Sequence, residues 1–239
     1  MSGGRARSDV AAPLAPRLEP PPRALLWDID GTLIDTTDLI VAALDHIYLT
    51  FLGRSAPRDE LRALIGIPLF RQVRWFGDPA MRGANAADME AAFISYYEER
   101  RHDERLIAPA IDALVRLRRL GLPTAVVTSK NRQEIANTLP RLGIASSVDV
   151  VVTAEDVRCP KPDPEGVLLA LDRLGVPASE SVFVGDTLHD LRAGRGAGVR
   201  VCAVTWGAAT RDSLAAEAPD ALCDHPGMLA HLLGCPAAE

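Results

Sequence analysis

Cysteine is sparse in this chain, and its spacing carries no chemistry. Cys159, Cys202, Cys223 and Cys235 form no Cys-x-x-Cys pair. That leaves neither a zinc-site spacing nor a disulfide framework, and it fits a reducing cytoplasmic compartment. No apolar run is long enough to span a bilayer, so no membrane role is expected. Basic residues are not gathered into blocks, and 26 Lys and Arg against 32 Asp and Glu leave a net charge of −6. That balance argues against nucleic acid as the partner. The five histidines show no triad-like pattern. No internal repeat is visible. The stretch 1–22 is rich in Ala, Pro and Arg but has no apolar secretion core, and it reads as a disordered tail without a part in the fold.

What the chain does have is a regular alternation of short apolar runs and helical patterns. Arg23 to Trp27, Pro123 to Thr128, Val148 to Val152, Val182 to Val184 and Val199 to Val204 read as buried strands. Between the later ones lie helical stretches at Ile111 to Leu120, Asn131 to Leu142 and Leu188 to Ala197, and one running from an N-cap at Asp163 with Pro164 first in the helix. Such alternation predicts an α/β fold with a parallel sheet covered on both faces. One connection is anomalous. About 30 residues suffice for a strand–helix–strand crossover, yet the chain from Asp30 to Thr128 is far longer and mostly helical in pattern. The expectation is a core of 23–36 and 107–239 with a helical cap, 37–106, inserted through hinges near Asp35 to Thr37 and Arg105 to Pro109.

Chemistry-bearing residues gather where the strands end. In an open parallel sheet, ligands bind beyond the carboxyl ends of the strands. Asp28 and Asp30 follow the first strand, with Gly31 supplying a sharp turn. Thr128 and Ser129 follow the second, Lys161 comes after the third, and Asp186 and Asp190 follow the fourth. Each has an ordinary explanation alone, as a strand-end hydroxyl, a solvated charge or a helix cap. Their occurrence together, at four successive strand ends, is what carries weight.

These segments resemble the haloacid dehalogenase-like hydrolase superfamily. Asp28 to Thr32 matches its Asp-x-Asp-Gly-Thr motif, Thr128 its strand-end hydroxyl, Lys161 its lysine before a helix, and Gly185 to Asp190 its Gly-Asp-x-x-x-Asp motif. The resemblance covers about Arg23 to Gly234. The helical insertion and the stretch Gly198 to Gly207 are similar to the phosphoglycolate phosphatase-like branch. The resemblance implies a Rossmann-like core under an inserted helical cap, and a phosphatase acting on a small phosphorylated metabolite through an aspartyl-phosphate. Converging carboxylates would repel each other and a phosphate, which Mg²⁺ resolves because it takes hard oxygen ligands. Asp28 is then the nucleophile, and Asp30 protonates the leaving group and later activates water. Asp28 and Asp186 are the metal-ligand carboxylates, and the family implies the backbone carbonyl of Asp30 as a further ligand. Asp190 is either a ligand or an anchor behind it. Thr128, Ser129 and Lys161 would bind the transferring phosphoryl oxygens.

Several alternatives stay in view. A haloacid dehalogenase proper would lack an acid at the Asp30 position. A phosphonate-cleaving relative would use a cap lysine, and 36–103 contains none. A pyrophosphatase, a sugar-phosphate phosphatase or mutase, and a nucleotidase all fit the same core. A non-enzymatic binding module would be expected to have lost Asp28 or Lys161, and both are present. Cap residues would choose the substrate. Arg62, Arg71 and Arg74 are the candidates for meeting a substrate carboxylate or second phosphate, with Arg71 the first choice.

Overall fold

The computed structural model describes residues 17–73 and 86–235. Strand β1 (Ala24–Trp27) leads, through a turn and the two-residue β2 (Ile34–Asp35), into four helices: α1 (Thr37–Leu52), α2 (Arg58–Ala63), α3 (Leu69–Gln72) and α4 (Ala86–Glu99). The short β3 (Arg105–Leu106) brings the chain back and pairs antiparallel with β2. This pair closes the base of the helical insertion. There follow α5 (Ala108–Arg119), β4 (Thr124–Val127), α6 (Arg132–Arg141), β5 (Val150–Val152), α7 (Glu165–Leu174), β6 (Ser181–Gly185), α8 (Leu188–Gly196), β7 (Arg200–Val204), α9 (Arg211–Ala216), β8 (Ala221–Cys223) and α10 (Leu229–Leu232).

The main sheet has the order β5-β4-β1-β6-β7-β8, all parallel. Every residue of β1 is buried, because a strand covered on both faces must be apolar throughout. Its side chains alternate between two layers. Leu25 and Trp27 join a cluster with Leu114 and Leu117 of α5. Leu26 joins another with Val167 and Ala170 of α7 and Ala193 of α8. The inserted helices have a third cluster of their own, centred on Leu44, Ile47, Leu61, Met89 and Phe93. The fold is therefore a Rossmann-like core with an inserted helical cap. No helix among the described residues is long and apolar enough to cross a membrane.

Four details depart from expectation. Within the stretch read as a disordered tail, Leu18 is buried against the core and its amide donates to the Leu232 carbonyl at 2.9 Å; residues 1–16 lie outside the description. The helix expected to start at Pro164 begins at Glu165, with Pro164 at the cap position, while Asp163 accepts from the Glu165 amide at 3.0 Å. Pro140, a residue expected to kink or shorten the helix, lies inside α6, in its last turn. The edge strand β8 and the helices α9 and α10 went unanticipated, since short elements near a sheet edge leave little periodicity to read.

Candidate active site

The strand order explains why four distant segments meet. The chain moves from β1 to β4 and β5 on one side, then returns to β6 on the other. β1 therefore lies between β4 and β6, at the point where a crevice opens beyond the carboxyl ends. Trp27 is in register with Val126 and Val184, so Asp28 emerges beside Thr128 and Asp186.

Asp28, Asp186 and Asp190 are all buried, and an oxygen from each lies within 4.8 Å of the others. Lys161 is buried among them. Its Nζ donates to Asp28 Oδ1 at 2.7 Å, to Asp190 Oδ1 at 2.6 Å and to the Val127 carbonyl at 3.3 Å. Asp190 Oδ2 accepts from the amide and the hydroxyl of Thr187, at 3.0 and 2.6 Å. Both of its oxygens are thus occupied by protein. Asp186 Oδ1 accepts from Thr32 Oγ1 at 2.9 Å, and Oδ2 from the Ala208 amide at 2.7 Å.

Two glycines make room for Asp186. Gly31 has φ +82°, a region open chiefly to glycine, and a Cβ there would lie 2.1 Å from Asp186 Oδ2. A Cβ on Gly207 would lie equally close to the same oxygen, at 2.1 Å.

Electrostatics follow from burial. Desolvation pushes the Asp28 carboxyl up to about 7, with Lys161 pulling it down and Asp190 and Asp30 pushing the same way as burial. Asp186 is also raised, by burial and by its carboxylate neighbours, against the pull of the Ala208 amide and the Thr32 hydroxyl. Burial disfavours the Lys161 ammonium, but Asp190 and Asp28 more than offset it and its proton is held more tightly than usual. Three buried carboxylates share one buried ammonium here. The excess negative charge and the all-oxygen donor set fit a divalent cation.

Asp30 stands apart from this cluster. Its Oδ1 accepts from Thr36 Oγ1 at 2.9 Å and its Oδ2 pairs with Lys130 Nζ at 2.9 Å. Asp28, Asp30, Ser129 and Lys130 line a cavity of about 70 Å³ whose opposite wall comes from the cap, with Ile65, Leu69 and Phe93 among its residues. Ser129 Oγ donates to the Gly66 carbonyl, tying core to cap. Thr128 is buried, and its hydroxyl oxygen accepts from the Lys130 amide at 3.2 Å.

Among the described residues, Arg62 and Arg71 do not line this cavity. Arg62 donates to the carbonyls of Gly207 and Ala208, at 3.1 and 3.2 Å. Arg71 is exposed and donates to the Arg158 carbonyl at 3.0 Å. Both side chains bind core backbone rather than face Asp28, because a guanidinium fork readily satisfies free carbonyls across a seam. Arg74 lies outside the described residues.

The sequence reading missed Lys130, Thr36 and Thr32. Lys130 did carry a signal. The chain has only two lysines, Lys130 and Lys161, among its 26 basic residues, and both are buried at this site. Burial works against the Lys130 charge, but Asp30, Tyr97 and Glu134 more than restore it, and its proton is held more tightly than usual.

The chain is similar to known proteins over most of its length. A profile of the family described as haloacid dehalogenase-like hydrolase matches residues 25–204. The chain is 35% identical to the Pyrophosphatase PpaX of Bacillus velezensis over 215 residues, 88% of this chain and 96% of that one. It is 31% identical to the Phosphoglycolate phosphatase of Pectobacterium atrosepticum over 218 residues, 89% of this chain and 92% of that one. Among solved structures, a hydrolase from Pseudomonas syringae superposes with a TM-score of 0.76 at 23% identity, covering 90% of this chain and all of the other. That likeness concerns the fold.

Proposed function

The chain belongs to the haloacid dehalogenase-like hydrolase family, and from that premise we propose that it is a Mg²⁺-dependent phosphatase of small phosphorylated metabolites, working through an aspartyl-phosphate on Asp28. The observation that carries the reading is the buried cluster of Asp28, Asp186 and Asp190 around Lys161, with Asp30 beside it on the cavity wall.

The residues divide the work as follows. Asp28 and Asp186, with the backbone carbonyl of Asp30, would hold the metal, which supplies charge neutralisation for the incoming phosphate. Asp190 is the anchor, because one of its oxygens binds the Lys161 ammonium and the other takes two Thr187 donors. Each Asp186 oxygen, by contrast, takes a single neutral donor and keeps a lone pair for a cation. Asp190 fixes Lys161, which faces the phosphoryl oxygens together with the Thr128 hydroxyl. Asp28 Oδ1 is bonded to Lys161, while Oδ2 has no protein donor among the described residues and serves as the attacking atom. The Asp28–phosphorus bond forms as the bond from phosphorus to the leaving oxygen breaks, and that oxygen takes a proton from Asp30. Water then gives a proton to Asp30 and attacks phosphorus, and the bond to Asp28 breaks to release phosphate. Thr36 and Lys130 hold the two oxygens of Asp30 throughout. We place the enzyme in the cytoplasm and treat 37–106 as the unit that opens and closes over the site.

The relatives' names favour two leaving groups, glycolate and phosphate, and the small cavity suits either better than a nucleoside. The test is hydrolysis of p-nitrophenyl phosphate before and after exhaustive chelation, with Mg²⁺ added back. Activity should vanish and return. Full activity in the chelated protein refutes the metal assignment.

A further inference from the structure

Lys130 and Lys161 are alike in burial but not in what they bind. Lys161 belongs to the floor of the site, between the carboxylates of Asp28 and Asp190 and the Val127 carbonyl, and serves the transferring phosphoryl group. Lys130 has one carboxylate partner among the described residues, Asp30, at 2.9 Å. Its other neighbour is the face of the cap residue Tyr97, whose ring centroid lies 5.5 Å from Nζ. An aromatic face attracts a cation without using up its N–H groups in directed bonds to oxygen. Lys130 therefore keeps protons for a further acceptor.

Its position says which acceptor. Lys130 lines the cavity next to Asp30, the group assigned above to protonating the leaving oxygen. It is the only cation among the described residues lining that cavity, against the carboxylates of Asp28, Asp30 and Glu134. A leaving group with its own negative charge would meet repulsion there without a cation. A neutral one would need no such help. The apolar wall of Ile65, Leu69 and Phe93 keeps the local dielectric low and strengthens an ionic contact. Tyr97 is itself fixed by its hydroxyl, which donates to Glu104 Oε1 at 2.6 Å beside the second hinge. The cap thus presents an aromatic face to Lys130.

We propose that Lys130 selects the leaving group, by donating to a negative charge carried on it next to the scissile bond. The substrate is then a small phosphate ester or anhydride whose leaving group is an anion, a carboxylate or a second phosphate. This rests on the phosphatase reading above and assigns that site its specificity residue.

The test compares kcat and KM with excess Mg²⁺ for 2-phosphoglycolate, pyrophosphate and 2-hydroxyethyl phosphate, the last being the neutral counterpart of the first. Wild type should favour at least one of the anionic pair. Lys130→Met should lower kcat/KM for that substrate at least about tenfold more than for 2-hydroxyethyl phosphate, chiefly through KM. Lys130→Arg should restore part of the ratio. Lys130→Gln, which keeps a donor for Asp30 without the charge, gives the same readout if the Met variant does not fold. The anionic substrate that suffers more identifies carboxylate or phosphate as the group read. Equal losses on all three would overturn the proposal and leave Lys130 as a support for Asp30. So would a wild type indifferent to leaving-group charge, with the phosphatase reading intact. A wild type inert toward all three, and toward p-nitrophenyl phosphate, fells that reading and this proposal with it.

Discussion

The floor of the cleft is polar and held from every side, whereas the roof is apolar and held at a few points. On the floor, Asp186 and Asp190 each have both oxygens bound by protein, and Lys161 has three acceptors. Asp186 follows its strand directly, and Asp190 and Lys161 lie in the helix and the loop that follow strands of the same sheet. The roof packs around its own cluster of Leu44, Ile47, Met89 and Phe93. It reaches the core through Arg62, Arg71 and the Gly66 carbonyl. Atoms that do chemistry need fixed positions, and buried, fully satisfied polar networks provide them. A surface that must admit and release substrate needs contacts weak enough to break.

The strongest way to separate the two regions is to remove the proposed nucleophile. Asp28→Asn keeps an acceptor for Lys161 but has no attacking carboxylate. Turnover should fall by more than roughly 10³-fold, with the circular dichroism spectrum unchanged. Wild-type turnover in that variant would rule out the covalent route. Crowding the floor should cost less. In Gly207→Ala the new Cβ would sit 2.1 Å from Asp186 Oδ2, so the loop or Asp186 must shift. Mg²⁺ affinity should weaken by roughly 10–100-fold, read by calorimetry, together with a lower Tm. An unchanged affinity would mean that the floor is softer than its hydrogen bonds imply. The smallest effect belongs to the seam. Arg62→Ala removes two bonds to the Gly207 and Ala208 carbonyls, each worth about 0.5 kcal/mol at a half-buried seam. Closure should weaken by roughly three- to tenfold, seen as a higher KM and as faster hydrogen exchange across 58–66. A loss of Mg²⁺ affinity comparable with that of Gly207→Ala would show instead that Arg62 acts on the floor, through the loop that holds Asp186.

Much of the floor was legible from the chain alone. Asp28, Asp30, Thr128, Lys161, Asp186 and Asp190 stand at strand ends recognisable by short apolar runs and turn residues. Parallel topology puts such ends on one edge, so their meeting needed no side-chain detail. The roof resisted the same approach. Arg71 was the first candidate for substrate, yet its guanidinium reaches the Arg158 carbonyl. Nothing in the spacing of a helical cap says which of its long side chains turns inward. Lys130 was passed over because it follows two strand-end hydroxyls in a loop and belongs to no periodic pattern. Its rarity was the available clue.

The sequence by itself determined the parallel sheet, the inserted helices and the identity of the residues beyond the strands, since these follow from local periodicity and turn chemistry. Tertiary structure alone decided how the charges are shared. Asp190 is bound by Lys161 and Thr187, Asp186 is held by Thr32 and Ala208 across a gap kept open by two glycines, and Lys130 faces Asp30. Those pairings join residues as far apart in the chain as Thr32 and Asp186. They depend on distances of a few ångströms that only packing sets, because Coulomb and hydrogen-bond energies fall away over that range while sequence separation carries no such metric.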